Sequence, residues 1–184
     1  VREMSQGELL QIEKARTLNI TEDIYYNIIR QKTAILLASC CAIGAKSVNC
    51  SEKELLKMHQ FGEHLGMAFQ IKDDLFDYGE EKIGKPLGID IKERKMTLPL
   101  IYAINNSTFS ERRKIKNIVK NFNKDRKKVN ELIQLVKDKG GLDFAKARMK
   151  YYQKKALKLL FEFPKSEYRD SLERMVGFVI ERKI

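Results

Sequence analysis

None of the three prolines in this 184-residue chain comes before Pro86, so nothing in the first 85 residues forces a long helix to break. Two helix starts stand in that stretch. Thr21 is followed by Glu22 and Asp23, an N-cap hydroxyl and first-turn acids that meet the free amides and the helix dipole. The helix they open is predicted to run to about Lys46. Ser51 and Glu54 form a capping box ahead of SEKELLKMHQFGEHLGMAFQIKDDLFDY, a second helix expected to end near Gly79. The opening run, VREMSQGELLQIEKART, reads as the inside of a helix with no start signal before it. Residues upstream of Val1 are therefore expected to be missing.

Past Gly79 the helical period fails. Gly79, Gly84, Pro86 and Gly88 mark a loop of roughly fifteen residues reaching Lys95, a length at which ordered loops usually serve function, and it reads as a flap. MTLPLIYAINN resumes a helix, with Pro99 tolerable in its first turn. Further helices are predicted at about Ser110–Lys120, Asp125–Lys139 and Leu142–Phe163. Pro164 then breaks the chain, and Ser166 caps a last helix. No segment alternates as a strand would. The fold class is all-α, an antiparallel helical bundle, and residues 1–184 form a single domain.

Composition narrows the setting. With 43% hydrophobic and 33% charged residues, the chain matches neither a disordered nor a secreted, disulfide-built protein. The apolar stretch Ala34–Ala45 is too short for a membrane span. Cys40, Cys41 and Cys50 are odd in number and lack metal-ligand spacing, so they are expected to be reduced packing residues in a cytoplasmic protein. The net charge of +11 calls for an anionic partner without naming it. Many of the bases fall between Arg112 and Arg148 on several helix faces with no nucleic-acid-binding motif, so they are read as solvated surface and no nucleic-acid partner is expected.

Two features depart from an ordinary core helix. Asp73, Asp74 and Asp77 lie in FQIKDDLFDY, where i, i+4 spacing stacks Asp73 on Asp77. Like charges at that spacing cost about 0.2–0.5 kcal/mol per pair, and apolar Leu65, Met67, Phe69, Ile71, Leu75 and Phe76 surround them. A hard divalent cation would relieve the repulsion, since Mg²⁺ takes one or two carboxylates and completes its shell with water and phosphate. An exposed acidic turn fits the same residues. Gln70, one turn earlier, could orient a water or a phosphate. Lys32 shares a helical face with Tyr25, Ile28, Ile29, Leu36 and Ser39. Either it snorkels to solvent, or with the Thr33 hydroxyl it reaches an interior anion. In the flap, Gly84 and Gly88 permit close backbone approach, while Lys85 and Lys95 supply point charges suited to phosphate. His59 and His64 sit in earlier turns of the aspartate helix, as surface or packing residues.

Taken together, IRQKTAILLASCCAIGA, FGEHLGMAFQIKDDLFDY, GKPLGIDIKERKMTLPLIYAI and the closing IERK resemble, in order and spacing, the C-terminal half of the trans-isoprenyl diphosphate synthases, or polyprenyl synthetases. The resemblance implies a bundle of the isoprenoid synthase type lacking its N-terminal helices. It also implies head-to-tail condensation of an allylic diphosphate with isopentenyl diphosphate and release of pyrophosphate. DDLFD would be the second aspartate-rich motif: Asp73 a Mg²⁺ ligand, Asp74 and Asp77 supporting it. Lys32, with Thr33 and Gln70 close by, and Lys85 would contact the allylic diphosphate, and Lys95 would close the flap. GELLQIE resembles the family's Gly-Glu helix, where Glu8 and Gln11 would pack or support. A homodimer is implied, with at most peripheral membrane contact through the product. One departure stands out: no other DDxxD occurs in the chain, so a three-metal site is not complete within it. A noncatalytic subunit regulating a partner synthase is the alternative.

Overall fold

The computed structural model describes residues 1–79 and 87–181. Helices are α1 (Arg2–Thr17), α2 (Glu22–Ile29), α3 (Ile35–Lys46), α4 (Glu52–Phe76), the short α5 (Ile89–Lys92), α6 (Leu98–Asn105), α7 (Phe109–Asn121), α8 (Arg126–Asp138), α9 (Gly141–Leu160) and α10 (Glu167–Glu181). Among the described residues there is no strand. The N-caps fall where the sequence puts them: Thr21 Oγ1 accepts from the Ile24 amide at 3.3 Å, and the Ser51–Glu54 capping box is closed in both directions. α7 begins earlier than predicted, because Thr108 and Glu111 form a second capping box ahead of Ser110.

The predicted helix from Thr21 to Lys46 contains a device that the sequence hid. Residues Arg30–Ala34 form a π-helical turn between α2 and α3. A wider turn shifts the helical phase, so the buried stripe runs through Tyr25, Ile28 and Ile29, then resumes at Ala34 and Ala38. Leu36, expected on the Lys32 face, is 48% exposed as a result. Cys40 is likewise exposed rather than packed, while Cys41 and Cys50 are half-buried; all three are free thiols. Glu22–Lys46 as a unit is long and apolar enough to cross a membrane by length and composition, although residues 34–45 alone are not.

α4 is the central strut. Its glycines show how α3 crosses it antiparallel: a Cβ on Gly62 would strike Leu37 and Ala38, and one on Gly66 would strike Ala34. α9 also runs antiparallel to α4, with Lys57 paired to Glu162 and His64 beside Tyr152. The larger core joins Tyr25, Ile29, Met67, Ile71 and Leu75 to α6, α7, α8 and α9; a smaller one joins Phe61 and Leu65 to Ala156, Leu160, Val176 and Val179.

Candidate active site

Between α1, the α2–π turn and the end of α4 lies a cleft. Its wall includes Gln11, Ile20, Tyr25, Ile28, Ile29, Lys32, Gln70, Asp73, Asp74, Asp90, Lys95 and Met96. Lys32 and Asp73, 41 positions apart in the sequence, thus face one space with an apolar side. Lys32 follows Tyr25, Ile28 and Ile29 onto that side, and Gly7 lets α1 come close enough to hold it: a Cβ on Gly7 would lie 2.8 Å from the Lys32 amide nitrogen. Lys32 Nζ pairs with Glu8 Oε2 at 2.7 Å and donates to Gln11 Oε1 at 3.3 Å. Glu8 and Gln11 therefore position the ammonium, which remains about one-third exposed.

The three aspartates have three different surroundings. Asp73 is exposed and lines the cleft. Asp74 is buried; its Oδ2 accepts from the Tyr25 hydroxyl at 2.7 Å and its Oδ1 from Gln70 Nε2 at 3.0 Å. Thr33 Oγ1 donates to Gln70 Oε1 at 2.7 Å, so Thr33, Gln70, Asp74 and Tyr25 form one chain of hydrogen bonds tying the π turn to α4. Burial, and then the nearby Asp90 carboxylate, push the Asp74 acid up to about 7 in spite of those two donors. Asp77 is not among the residues lining the cleft. It accepts from the backbone amides of Ile89 at 2.6 Å and Asp90 at 3.1 Å, fastening the start of α5 to the end of α4; burial first, then Asp90, raise its acid to about 6.

The flap is described only at its downstream end, and Gly84 and Lys85 lie outside the described residues. Lys95 does reach the cleft, held by Glu93 at 2.6 Å and Asp90 at 3.5 Å. Burial works against its charge, but those carboxylates prevail and its pKa lies above the ordinary lysine value. Gly88 has φ 74°, and a Cβ there would run into Val129. Its conformation seats α5 on α8. His64 stacks loosely on Tyr152, ring centroids 6.0 Å apart, and neither His64 nor His59 lines the cleft.

Two participants were missed in the sequence. Tyr25 counted only as an apolar stripe residue, although its hydroxyl is the group that meets Asp74. Asp90 falls in the stretch predicted as a Gly-rich loop, where no period indicates which side chains turn inward, yet on α5 it lies in the cleft with Asp73 and Asp74.

The polyprenyl synthetase family model matches residues 1–136. The chain is 32% identical over 180 residues to the short chain isoprenyl diphosphate synthase of Methanothermobacter thermautotrophicus, covering 97% of this chain and 55% of that protein. It is 29% identical over 184 residues to the octaprenyl diphosphate synthase of Escherichia coli, covering 99% and 57%. Among solved structures, a decaprenyl diphosphate synthase from Rhodobacter capsulatus superposes with a TM-score of 0.92 at 32% identity, over 98% of this chain and 56% of that one. A polyprenyl synthase from Caulobacter crescentus, solved in complex with calcium and isoprenyl diphosphate, gives a TM-score of 0.91 at 31% identity, over 100% and 56%. The chain spans about half the length of the curated relatives it matches.

Proposed function

This chain belongs to the polyprenyl synthetase family, and on that footing we propose that it supplies one half of the active site of a Mg²⁺-dependent trans-prenyltransferase. The whole enzyme joins an allylic diphosphate to isopentenyl diphosphate, head to tail, and releases pyrophosphate. The observation that carries this reading is that Lys32, Gln70, Asp73 and Asp74, drawn from two helices, line a single cleft with an apolar wall.

The donor set suits the metal. Asp73, exposed in the cleft, and Asp74, buried beside it, offer hard oxygens, and Asp90 lines the same cleft. Among the described residues no three His, Cys, Asp or Glu side chains gather as a cage, and Mg²⁺ needs none: it takes one or two carboxylates and leaves its other positions to water and substrate phosphate. Bound there, it would neutralise charge growing on the departing pyrophosphate. Lys32, steadied by Glu8 and Gln11, meets the same diphosphate as a preorganised cation. Thr33 and Gln70 hold the Asp74 carboxylate in place, Lys95 exchanges Glu93 and Asp90 for phosphate oxygens, and Lys85 is assigned to the same diphosphate. Ile20, Ile28, Ile29 and Met96 form the apolar side of the cleft, along which the prenyl tail would lie. No side chain acts as a nucleophile.

The test is coupled binding. Mg²⁺ and geranyl diphosphate together should raise the melting temperature by more than the sum of their separate effects. Asp73→Ala should abolish that synergy, and Lys32→Ala should weaken diphosphate binding with Mg²⁺ present or absent. Purely additive shifts in the unsubstituted chain would remove the reading. Pyrophosphate release is expected only when a polypeptide bearing the first aspartate-rich motif completes the site. A homodimer in the cytoplasm belongs to the same proposal, and light scattering on the eluted protein checks the stoichiometry.

A further inference from the structure

Residues 110–128 carry nine lysines and arginines against two carboxylates, and both carboxylates are already committed. Glu111 caps α7 and pairs with Lys139 at 2.8 Å, and Asp125 caps α8 through the Lys127 and Lys128 amides. What remains is cationic, and on α7 it is ordered. Phe109, Arg113, Lys116 and Lys120 recur at i, i+4, i+7 and i+11, which places them along one flank of the helix. All four are exposed, and Phe109, at the outer end of that flank, is 83% exposed. The flank borders two adjoining grooves. One is lined by Leu18, Arg113, Lys116 and Lys120, the other by Leu18, Ile20, Ile104 and Phe109 with Arg113 and Lys116.

A solvated basic helix accounts for the charge, but it gives no reason for Phe109 standing in water at the end of the same flank. A helix that rests on a lipid surface needs both: cations for anionic headgroups and apolar side chains that enter the boundary with the acyl chains. We propose that α7 and the adjoining turn at Leu18–Ile20 form a docking surface for an anionic lipid bilayer. Phe109 enters the interface while Arg113, Lys116 and Lys120 contact headgroup phosphates. The docking does not depend on the prenyltransferase reading. If that reading also holds, the geometry has a use, since Ile20 and Met96 line both the groove and the catalytic cleft, so docking sets the cleft beside the phase into which a prenyl product partitions.

The chain has no tryptophan, which makes Phe109→Trp a single, neutral reporter at an exposed position. Its fluorescence should shift to the blue with vesicles of equal parts phosphatidylcholine and phosphatidylglycerol, and should be quenched by brominated acyl chains. Neither should happen with phosphatidylcholine alone, and added salt should reverse the binding. Charge reversal at Arg113, Lys116 and Lys120 together should lower vesicle affinity by about a hundredfold. Reversing Lys150, Lys154 and Lys158, an equal charge on exposed α9 positions, should cost far less. The circular dichroism melt of each variant separates lost docking from lost folding, and Phe109→Ser, which alters no charge, should weaken retention by itself. An unshifted tryptophan on anionic vesicles, or equal losses from the α7 and α9 reversals, would overturn the proposal. So would retention on an RNA oligonucleotide with no uptake onto vesicles, which assigns the patch to nucleic acid.

Discussion

Burial of the Asp74 carboxylate carries an electrostatic cost, and that cost can be measured. Its folded acid lies at about 7 against an ordinary 3.8, chiefly because it is buried. The native state therefore binds a proton more tightly than the unfolded chain does. Its contribution does not oppose folding below the unfolded value, and it becomes increasingly unfavourable as pH rises from about 4 to about 7. In chelator at pH 8, Asp74→Asn should stabilise the protein by about 1–3 kcal/mol, since each tenfold difference in proton affinity between folded and unfolded chain is worth about 1.4 kcal/mol and relaxation removes part of the total. The amide keeps one acceptor for Gln70 and offers a donor to the Tyr25 oxygen. Urea melts at pH 5 and pH 8 check it: the gain should shrink at the lower pH. With Mg²⁺ and a diphosphate present, the order should invert. Asp73 and Lys32 were legible from sequence because a charge on an apolar face has to be explained. The Tyr25 hydroxyl was not, because a tyrosine in an apolar stripe is already explained by its ring.

At the level of elements, the starts at Thr21 and Ser51 were readable, because capping residues act locally, whereas the short α5 at Ile89–Lys92 lies inside the stretch predicted as loop. The π turn was not readable either. Nothing in RQKTA announces an extra residue per turn; α1 and α4 approach that segment closely at Gly7 and Gly66. Without it, Leu36 would share the Lys32 face as predicted; with it, Lys32 stays on the cleft side with Tyr25, Ile28 and Ile29 while Leu36 faces out. Two glycines in the same helix pair should respond in opposite directions. Gly66→Ala forces a methyl onto Ala34 and should destabilise by about 1–3 kcal/mol. Gly44→Ala meets nothing within 4 Å and should stabilise by about 0.5–1 kcal/mol through helix propensity alone. Thermal melts of the two variants side by side test whether close approach, rather than glycine content, sets this crossing.

Across the whole molecule, residue patterns specify a bundle without specifying its depth. Hydrophobic periods identified the helices, while the division into a larger core around α6–α9 and a smaller one under α10 depends on packing at long sequence separation. α4 passes through both, and its polarity has a consequence. Backbone dipoles add along a helix to leave partial negative charge at the C-terminal pole, and α4 has no basic residue in its last turn to offset it. Asp73, Asp74 and Asp77 all stand at that pole. In chelator the final turn of α4 should therefore fray first, with amide hydrogens of residues 73–78 exchanging before those near Phe61. Saturating Mg²⁺ with a diphosphate should slow that exchange by tenfold or more, about 1.4 kcal/mol, and leave the Phe61 end unchanged. The pole that is weakest in chelator would then be tightened by the charge it lacks.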